Sequence, residues 1–232
     1  ANVRPSRLLP GIKSPLKNIG PAELDWVIVR ENTEGEYSGA GGRVHPKLPQ
    51  EVGIDVSVFT RDGIARVMRY AFELALTRPK KQLTLVTKSN AQRHGMVLWD
   101  EVFEKLKHDY PGITTDRMLV DAITTRMVLQ PQSLDTIVAT NLHADILSDL
   151  AAALSGSLGI CPTANINPER TFPSMFEPIH GSAFDLVGKD LANPLGAFWS
   201  CVMMLEHLQE KKGASLLMSA IEEVCQEGRH LP

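Results

Sequence analysis

Two aspartates, Asp145 and Asp149, lie four residues apart in a segment whose apolar residues repeat with the period of a helix. Both carboxylates would project from one helix face, where like charges at this spacing repel each other. A divalent cation would turn that repulsion into a binding site, and hard cations such as Mg²⁺ or Mn²⁺ prefer carboxylate oxygens. The sequence has no cluster of His and Cys that would favour zinc. On spacing alone, a solvated helix face explains the pair equally well.

Charged side chains also stand at the ends of strand-like segments. Arg4, Arg30, Lys88 and Asp121 are placed in this way, and Asp145 comes one helical turn into a following element. Ligands of open α/β sheets gather at strand ends. Each residue alone is ordinary, but the five together predict a site for an anionic substrate with a cation.

The stretch from Arg30 to Tyr37 is dense in charge for a segment that leaves a buried strand. Arg30 could hold a carboxylate through two parallel hydrogen bonds, and the Tyr37 hydroxyl could carry a proton nearby. A surface turn is the structural alternative. The segment 180–183 (His-Gly-Ser-Ala) would let a nucleotide approach the backbone, although so short a segment is a weak signal. The sequence has no G-x-G-x-x-G motif and therefore does not support a Rossmann fold.

Strand-like and helix-like periods alternate along the chain, which predicts an α/β sheet architecture. We expect Thr60 to cap a helix that runs through Leu76, and Ser89 or Asn90 to cap one that runs toward His108.

Further elements are expected near the middle and the end of the chain. A helix should open at Asn193-Pro194 and another should cover about 214–226. The glycine-rich segment 37–49 is too long for a tight turn and predicts an arm. A shift in composition at 156–159 marks the expected domain boundary.

Composition excludes several classes of protein. The 232 residues are 43% hydrophobic and 22% charged, with a net charge of −3, which is typical of a globular protein and lacks the basic surface of a nucleic-acid binder. No apolar run reaches membrane-spanning length. Cys161, Cys201 and Cys225 lack C-x-x-C spacing, so we expect reduced cysteines and a cytoplasmic location. Both ends read as truncated, with a piece expected to be missing on each side.

Five ordered motifs carry a resemblance to a known family. They are Ala1-Asn-Val-Arg4-Pro5, Arg30-Glu-Asn-Thr-Glu-Gly-Glu-Tyr37-Ser38, Thr87-Lys88-Ser89-Asn90, Asn141-Leu-His-Ala-Asp145-Ile-Leu-Ser-Asp149 and Phe176-Glu177-Pro-Ile-His180-Gly-Ser-Ala-Phe-Asp185. The chain resembles the isocitrate/isopropylmalate dehydrogenases over nearly its whole length. The third and fourth motifs are most similar to the tartrate/D-malate branch of that family.

The resemblance implies a two-domain α/β/α sandwich of the isocitrate/isopropylmalate dehydrogenase type, which is not a Rossmann fold. Residues 1–155 would form a smaller domain with a dimer arm at about 38–55, and residues 156–232 would form part of the larger domain with the cofactor loop. Two copies would form a homodimer whose active sites are shared.

The resemblance also implies roles for individual residues. Arg4 and Arg30 would hold substrate carboxylates, and Asp145 and Asp149 would bind the metal with Asp121 of the partner. Lys88 of the partner would be the general base, and Tyr37 would protonate the enolate carbon. The residues expected to line the cofactor are Asn90, Glu177, His180, Gly181, Ser182, Ala183, Asp185 and Asn193.

The implied reaction is the NAD- and metal-dependent oxidation and β-decarboxylation of a small 2-hydroxy dicarboxylic acid, with tartrate or D-malate expected. Mg²⁺ or Mn²⁺ is the expected metal, and K⁺ is a further candidate. Isopropylmalate and isocitrate stay open as substrates, as does a non-catalytic regulatory subunit. The chain departs from the family pattern in two ways. A further substrate arginine and the specificity loop of the family fall upstream of Arg4, which affects the prediction of the substrate. Phe184 stands where relatives often have proline, which affects the expected shape of the cofactor loop.

Overall fold

The computed structural model describes residues 1–229. Nine strands and six α-helices alternate through this part of the chain. They are β1 Asn2–Arg7, β2 Asp25–Arg30, β3 Gly35–Val44, β4 Val52–Val58, α1 Arg61–Thr77, β5 Gln82–Thr87, α2 Gly95–Leu106, β6 Thr114–Leu119, α3 Val120–Leu129, β7 Thr136–Ala139, α4 Asn141–Leu154, β8 Pro162–Asn165, β9 Met175–Pro178, α5 Leu195–His207 and α6 Lys211–Glu227.

Seven of the strands form one mixed sheet in the order β6-β5-β7-β2-β1-β8-β9. Strands β6, β5, β7 and β2 are parallel, whereas β1 runs antiparallel to both β2 and β8. The predicted α/β architecture is therefore confirmed. The sheet continues across the expected boundary at 156–159, and the division into two domains stays a prediction.

Alternating side chains of β2 are buried in two hydrophobic cores, one on each face of the sheet. Val27 and Val29 pack with α1 and α2, whereas Trp26 and Ile28 pack with α3 and α4. On the first face Phe72 stacks on Phe103, with ring centroids 5.4 Å apart. A third cluster joins α5 to α6. Helices on both faces of the sheet explain why the buried strands read as nearly continuous apolar runs.

The segment predicted as an arm is a hairpin outside the main sheet. Strands β3 and β4 pair only with each other among the described residues, and every side chain of β4 is exposed. A two-stranded hairpin is marginally stable alone. Its role as a dimer arm stays a prediction.

Most predicted helix ends are confirmed. The Thr60 hydroxyl accepts from the Gly63 amide at the start of α1, and Gly228 ends α6 in the left-handed conformation. The expected capping by Ser89 or Asn90 is wrong. Helix α2 begins only at Gly95, because the amides of Ala91 and Gln92 bond to the Lys88 carbonyl in a turn that precedes the helix. Its N-cap position is His94, which forms no side-chain cap, and the Ser89 hydroxyl donates to Asp100.

Two expectations from composition concern membranes and sulfur chemistry. No helix in residues 1–229 is both long and apolar enough to span a bilayer. All three cysteines are free: Cys161 and Cys225 are buried, and Cys201 is exposed.

Replacing Thr60 with alanine should destabilise the protein by about 1–2 kcal/mol, because α1 loses its N-cap. The same hydroxyl also donates to Glu34 at 2.8 Å. Thr77→Ala, at the other end of α1, is the control, because that hydroxyl donates only to a carbonyl of its own helix. Urea unfolding should separate the two variants; equal free energies of unfolding would contradict the capping role.

Candidate active site

Strand register brings two arginines to one face of the sheet. Asn2 lies opposite Arg30 and Arg4 lies opposite Ile28 in the antiparallel pair of β1 and β2. Because directly opposed residues share a face, as do residues two apart, Arg4 and Arg30 point to the same side. Helix α4 crosses that side.

The carboxylate of Asp145 is where the predicted substrate residues meet. Its Oδ1 accepts from Nη1 of Arg4 at 3.1 Å and also from Nη1 of Arg30. Its Oδ2 accepts from the Tyr37 hydroxyl at 3.0 Å. The Arg30 guanidinium lies over the Tyr37 ring, 5.6 Å from the centroid. Four residues from four elements therefore form one cluster. Arg4, Arg30 and Asp145 belong to the five charged residues that the sequence grouped into one site, and their roles stay predictions.

Neutral acceptors hold the arginines in place. Arg30, which is 8% exposed, donates from Nε to Oδ1 of Asn141 at 2.8 Å. Arg4 donates to Oδ1 of Asn2 at 2.8 Å and to the Ser148 hydroxyl at 2.6 Å. These bonds orient both guanidinium groups without neutralising their charge.

The two aspartates of α4 differ in their electrostatic environment. Burial raises the pKa of Asp145, but the Arg30 guanidinium, the Tyr37 hydroxyl and Arg4 outweigh burial and lower it below the usual value. Burial and the charge on Asp145 raise the pKa of Asp149. Asp149 accepts no side-chain hydrogen bond within residues 1–229, which leaves its oxygens free for a ligand.

Tyr37 is suited to keep its proton. The hydrogen bond to Asp145 is the main cause of its raised pKa, and burial contributes next. Arg4 is affected in the opposite sense: burial and the charge on Arg30 lower its pKa, and Asp145 opposes them.

Lys88 and Asp121 form a separate ion pair. Lys88 follows β5 and Asp121 lies in the first turn of α3, which follows the neighbouring parallel strand β6. The hydrogen bond from Lys88 lowers the pKa of Asp121. Neither residue bonds to Asp145 or Asp149 in the described chain.

A polar cavity of about 290 Å³ opens beside the two arginines. Glu177 and Gly181 of the predicted cofactor loop line it together with residues that the sequence reasoning missed, namely Asn2, Asn32, Thr163 and Asn165. The missed residues are linked: the Asn2 amide donates to Thr163 at 2.9 Å and to Asn165 at 3.1 Å. A usable signal existed, because Asn2 and Asn32 each lie two residues from a predicted arginine.

The loop from His180 to Asp185 is exposed and has unusual backbone angles. Gly181 has φ of 68° with open space where a Cβ would lie, and Ala183 has φ of 41°. Ser182 and Asp185 are exposed. This geometry leaves open space beside the backbone at Gly181, and the nucleotide-binding role of the loop stays a prediction.

Asn193 has a structural contact of its own. Its Oδ1 accepts from the Leu195 amide at 2.9 Å, at the start of α5. It lines a second cavity of about 810 Å³ beside α5 and α6. Its cofactor role stays a prediction, as does that of Asn90.

The three glutamates near Tyr37 have structural contacts. Glu31 accepts from the amides of Thr33 and Glu34, and Glu34 accepts from the amide of Thr60. Glu36 accepts from the Thr140 hydroxyl at the start of α4. The charged stretch from Arg30 to Tyr37 therefore has features of both a binding site and a surface turn. Arg30 and Tyr37 bond to Asp145, and the glutamates stabilise the turn.

The family model described as isocitrate/isopropylmalate dehydrogenase matches residues 1–231. The chain belongs to this family. A protein from Agrobacterium vitis, "Probable tartrate dehydrogenase/decarboxylase TtuC'", is 68% identical over 98% of the chain and 64% of its own length. The D-malate dehydrogenase [decarboxylating] of Escherichia coli is 49% identical over 100% of the chain and 65% of its own length. The chain therefore spans less than two thirds of these relatives.

Solved members of the family share the fold. Isocitrate dehydrogenase from Methylococcus capsulatus matches with a TM-score of 0.90 and 39% identity, over 100% of this chain and 66% of that one. The likeness confirms the predicted fold class.

Within one chain, the acidic residues supply only some of the ligands that a metal ion needs. No group of three His, Cys, Asp or Glu side chains that could hold a metal occurs in residues 1–229. Asp145 and Asp149 supply two carboxylates at helical spacing, and the charge repulsion at Asp149 favours a cation there. The pair fits a hard divalent cation whose remaining ligands come from substrate, water or another chain.

In metal-free protein at pH 7, Asp145→Asn should lower stability and Asp149→Asn should not. The charge on Asp145 adds stability above its unfolded pKa of about 4, and this is lost as the pH falls through the lower folded pKa. The pKa of Asp149 is raised by folding, so its charge costs stability as the pH rises above the unfolded pKa. Thermal unfolding with a chelator should show a lower Tm for Asp145→Asn than for the wild type and no such loss for Asp149→Asn.

The same measurements at lower pH provide the control. The effect at Asp149 should disappear as the pH falls toward about 4, because folding raises the pKa of Asp149 above its unfolded value. The effect at Asp145 should persist to about pH 4 and shrink only below it, as the pH falls through the lowered folded pKa. Equal destabilisation by both substitutions at pH 7 would contradict this electrostatic assignment.

Proposed function

We propose that the protein oxidises and β-decarboxylates a small 2-hydroxy dicarboxylic acid, most simply tartrate or D-malate, with NAD and a divalent cation. One observation carries the proposal: Arg4, Arg30 and Tyr37 converge on the Asp145 carboxylate. The cluster combines two cationic side chains and a phenol with the carboxylate that we assign to the metal. This is the combination that a hydroxy acid needs.

The polar cavity supports a small, charged substrate. Its volume of about 290 Å³ and its asparagine and threonine lining favour hydroxyl and carboxylate groups over an alkyl chain. Arg4 and Arg30 would bind the carboxylates through charge-assisted hydrogen bonds. The names of the relatives point to tartrate and D-malate.

Asp145 and Asp149 would hold the metal, with Asp121 of a second subunit as a further ligand. When bound, the cation would make the substrate hydroxyl more acidic and stabilise the enolate as a Lewis acid. Mg²⁺ and Mn²⁺ fit this set of oxygen ligands, and K⁺ is a further candidate.

Proton transfer would be divided between two residues of the chain. Lys88 of the partner would accept the proton of the hydroxyl, and Tyr37 would give its proton to the carbon that loses CO₂. The raised pKa of Tyr37 favours this role, because the phenol stays protonated until it is needed. NAD would accept the hydride, held by the loop from Glu177 to Asp185.

A homodimer in the cytoplasm is part of the proposal. Lys88 and Asp121 pair with each other and do not bond to Asp145 or Asp149 within the described chain, so their proposed part in the site would need a second copy. The exposed hairpin of β3 and β4, at about 38–55, is the proposed dimer arm. Sedimentation of the full-length protein tests the assembly.

The leading alternative substrates are isocitrate and isopropylmalate, and the structural likeness to an isocitrate dehydrogenase favours the former. Steady-state assays of the full-length protein with the four acids separate these possibilities. Absence of metal-dependent NADH formation with all four would refute the proposal in favour of a non-catalytic subunit.

We expect NAD to be used in preference to NADP. Asp185 is exposed beside the 180–183 loop, where a carboxylate can accept from ribose hydroxyls but repels a 2′-phosphate. Asp185→Lys should reduce the NAD preference by about tenfold or more. Lys189→Ala, four residues further along the chain, is the control for a change of charge near the loop. Equal kcat/KM of the wild type with both cofactors would contradict the assignment.

Lys88→Met and Tyr37→Phe should impair different half-reactions. Loss of Lys88 should suppress NADH formation by about 10²–10⁴-fold, as expected for a positioned base. Tyr37→Phe should mainly slow the release of protonated product from a 2-keto intermediate such as oxaloacetate. Lys88→Met should still decarboxylate that intermediate with metal present.

Circular dichroism of each variant controls for misfolding. If Lys88→Met fails equally in both half-reactions with its fold intact, the lysine acts as a fixed charge and the proposed division of proton transfer is wrong.

A further inference from the structure

The loop between β5 and α2 carries two of the predicted functional residues. Lys88 and Asn90 are separated only by Ser89, and α2 does not begin until Gly95. The amides of Ala91 and Gln92 both donate to the Lys88 carbonyl at 2.9 Å. These bonds close the backbone into a turn, but they leave the side chains of the loop unanchored.

One buried carboxylate anchors the turn from outside. Oδ2 of Asp100, on α2, accepts from the Ser89 hydroxyl at 2.8 Å. The same oxygen accepts from Nη1 of Arg117, on β6, at 2.9 Å. Asp100 is only 9% exposed, and its Oδ1 has no hydrogen-bond partner in the described chain. Its bonds therefore join the loop, α2 and β6 at a single atom.

We propose that Asp100 is a positioning residue that orients Lys88 and Asn90 through Ser89. Fixing the Ser89 side chain restrains the peptide planes on both of its sides, and these planes set the directions of the two neighbours. Asp100 forms no hydrogen bond to Lys88 or Asn90 and would act only through Ser89. The roles of those two residues rest on the proposed function, but the anchoring of the loop does not.

The cost of losing the anchor follows from preorganisation. A base or a cofactor ligand on a mobile loop must be ordered in each turnover, and misplacement by about 1 Å can cost about 10²-fold in rate. Because Arg4 and Arg30 lie on other strands, substrate binding should be spared. The expected signature is therefore a fall in kcat with a rise in the KM for NAD and little change in the KM for the hydroxy acid.

Four variants of the full-length protein separate positioning from simple stability. Ser89→Ala removes the donor, whereas Ser89→Thr keeps a hydroxyl. Asp100→Asn weakens the acceptor. Glu101→Gln is the matched control, because Glu101 is the adjacent residue of α2 but is exposed and pairs only with Arg61, at 3.3 Å.

Hydrogen exchange of the amides of Ala91 and Gln92 gives a readout independent of turnover. Ser89→Ala and Asp100→Asn should exchange there about tenfold faster, a loss of roughly 1.4 kcal/mol of local protection. Ser89→Thr and Glu101→Gln should exchange like the wild type. Unchanged exchange in Ser89→Ala would overturn the anchoring.

Steady-state kinetics then test whether the anchoring of the loop affects turnover. Ser89→Ala should lower kcat about tenfold, and the Ser89→Ala/Asp100→Asn double variant should be no worse than the worse single variant, because both remove one interaction. If Ser89→Ala has the same kcat and KM values as the wild type, Asp100 has only a structural role and the proposal is wrong. A wild type without turnover would instead refute the proposed function, while the exchange data would still decide the anchoring.

Discussion

A guanidinium buried beneath a helix is the constraint on which the active-site cluster depends. Arg30 ends β2 almost out of contact with solvent, so its buried guanidinium needs hydrogen-bond acceptors. Asn141 and Asp145, one helical turn apart on α4, supply its acceptors. The start of α4 must therefore lie across the end of β2, and Asp149 follows one turn further along the same helix face.

The polar residues of the site are divided among different supports. Arg4 and Arg30 stand on paired strands in the middle of the sheet, whereas Asp145 and Asp149 share a helix. Lys88 and Asp121 follow the outer strands β5 and β6 and neutralise each other there. Arg4, Arg30 and the two aspartates are thus held on strands and on a helix, whereas Lys88 depends on the loop between β5 and α2.

The architecture followed from the sequence because it depends on local patterns. A short apolar run revealed β2, and the spacing of Asp145 and Asp149 revealed one face of α4. The contacts of Arg4, Arg30 and Tyr37 with Asp145 join four separate elements, and no periodic pattern could show them. The failed cap at Ser89 has a different origin: its hydroxyl had a distant acceptor, Asp100, that local pattern could not disclose. Local propensity likewise could not show that Thr163 would meet Asn2, because 161 residues separate them.

Tyr37 illustrates how an exposed group can be held without being buried. Its side chain is 56% exposed, yet the residues just before it are bound at Glu34 to the start of α1 and at Glu36 to the start of α4. The conformational entropy of this segment is thus lost when the chain folds, and not when a ligand arrives. The phenol combines the free access of a surface residue with the low reorganisation cost of an interior one.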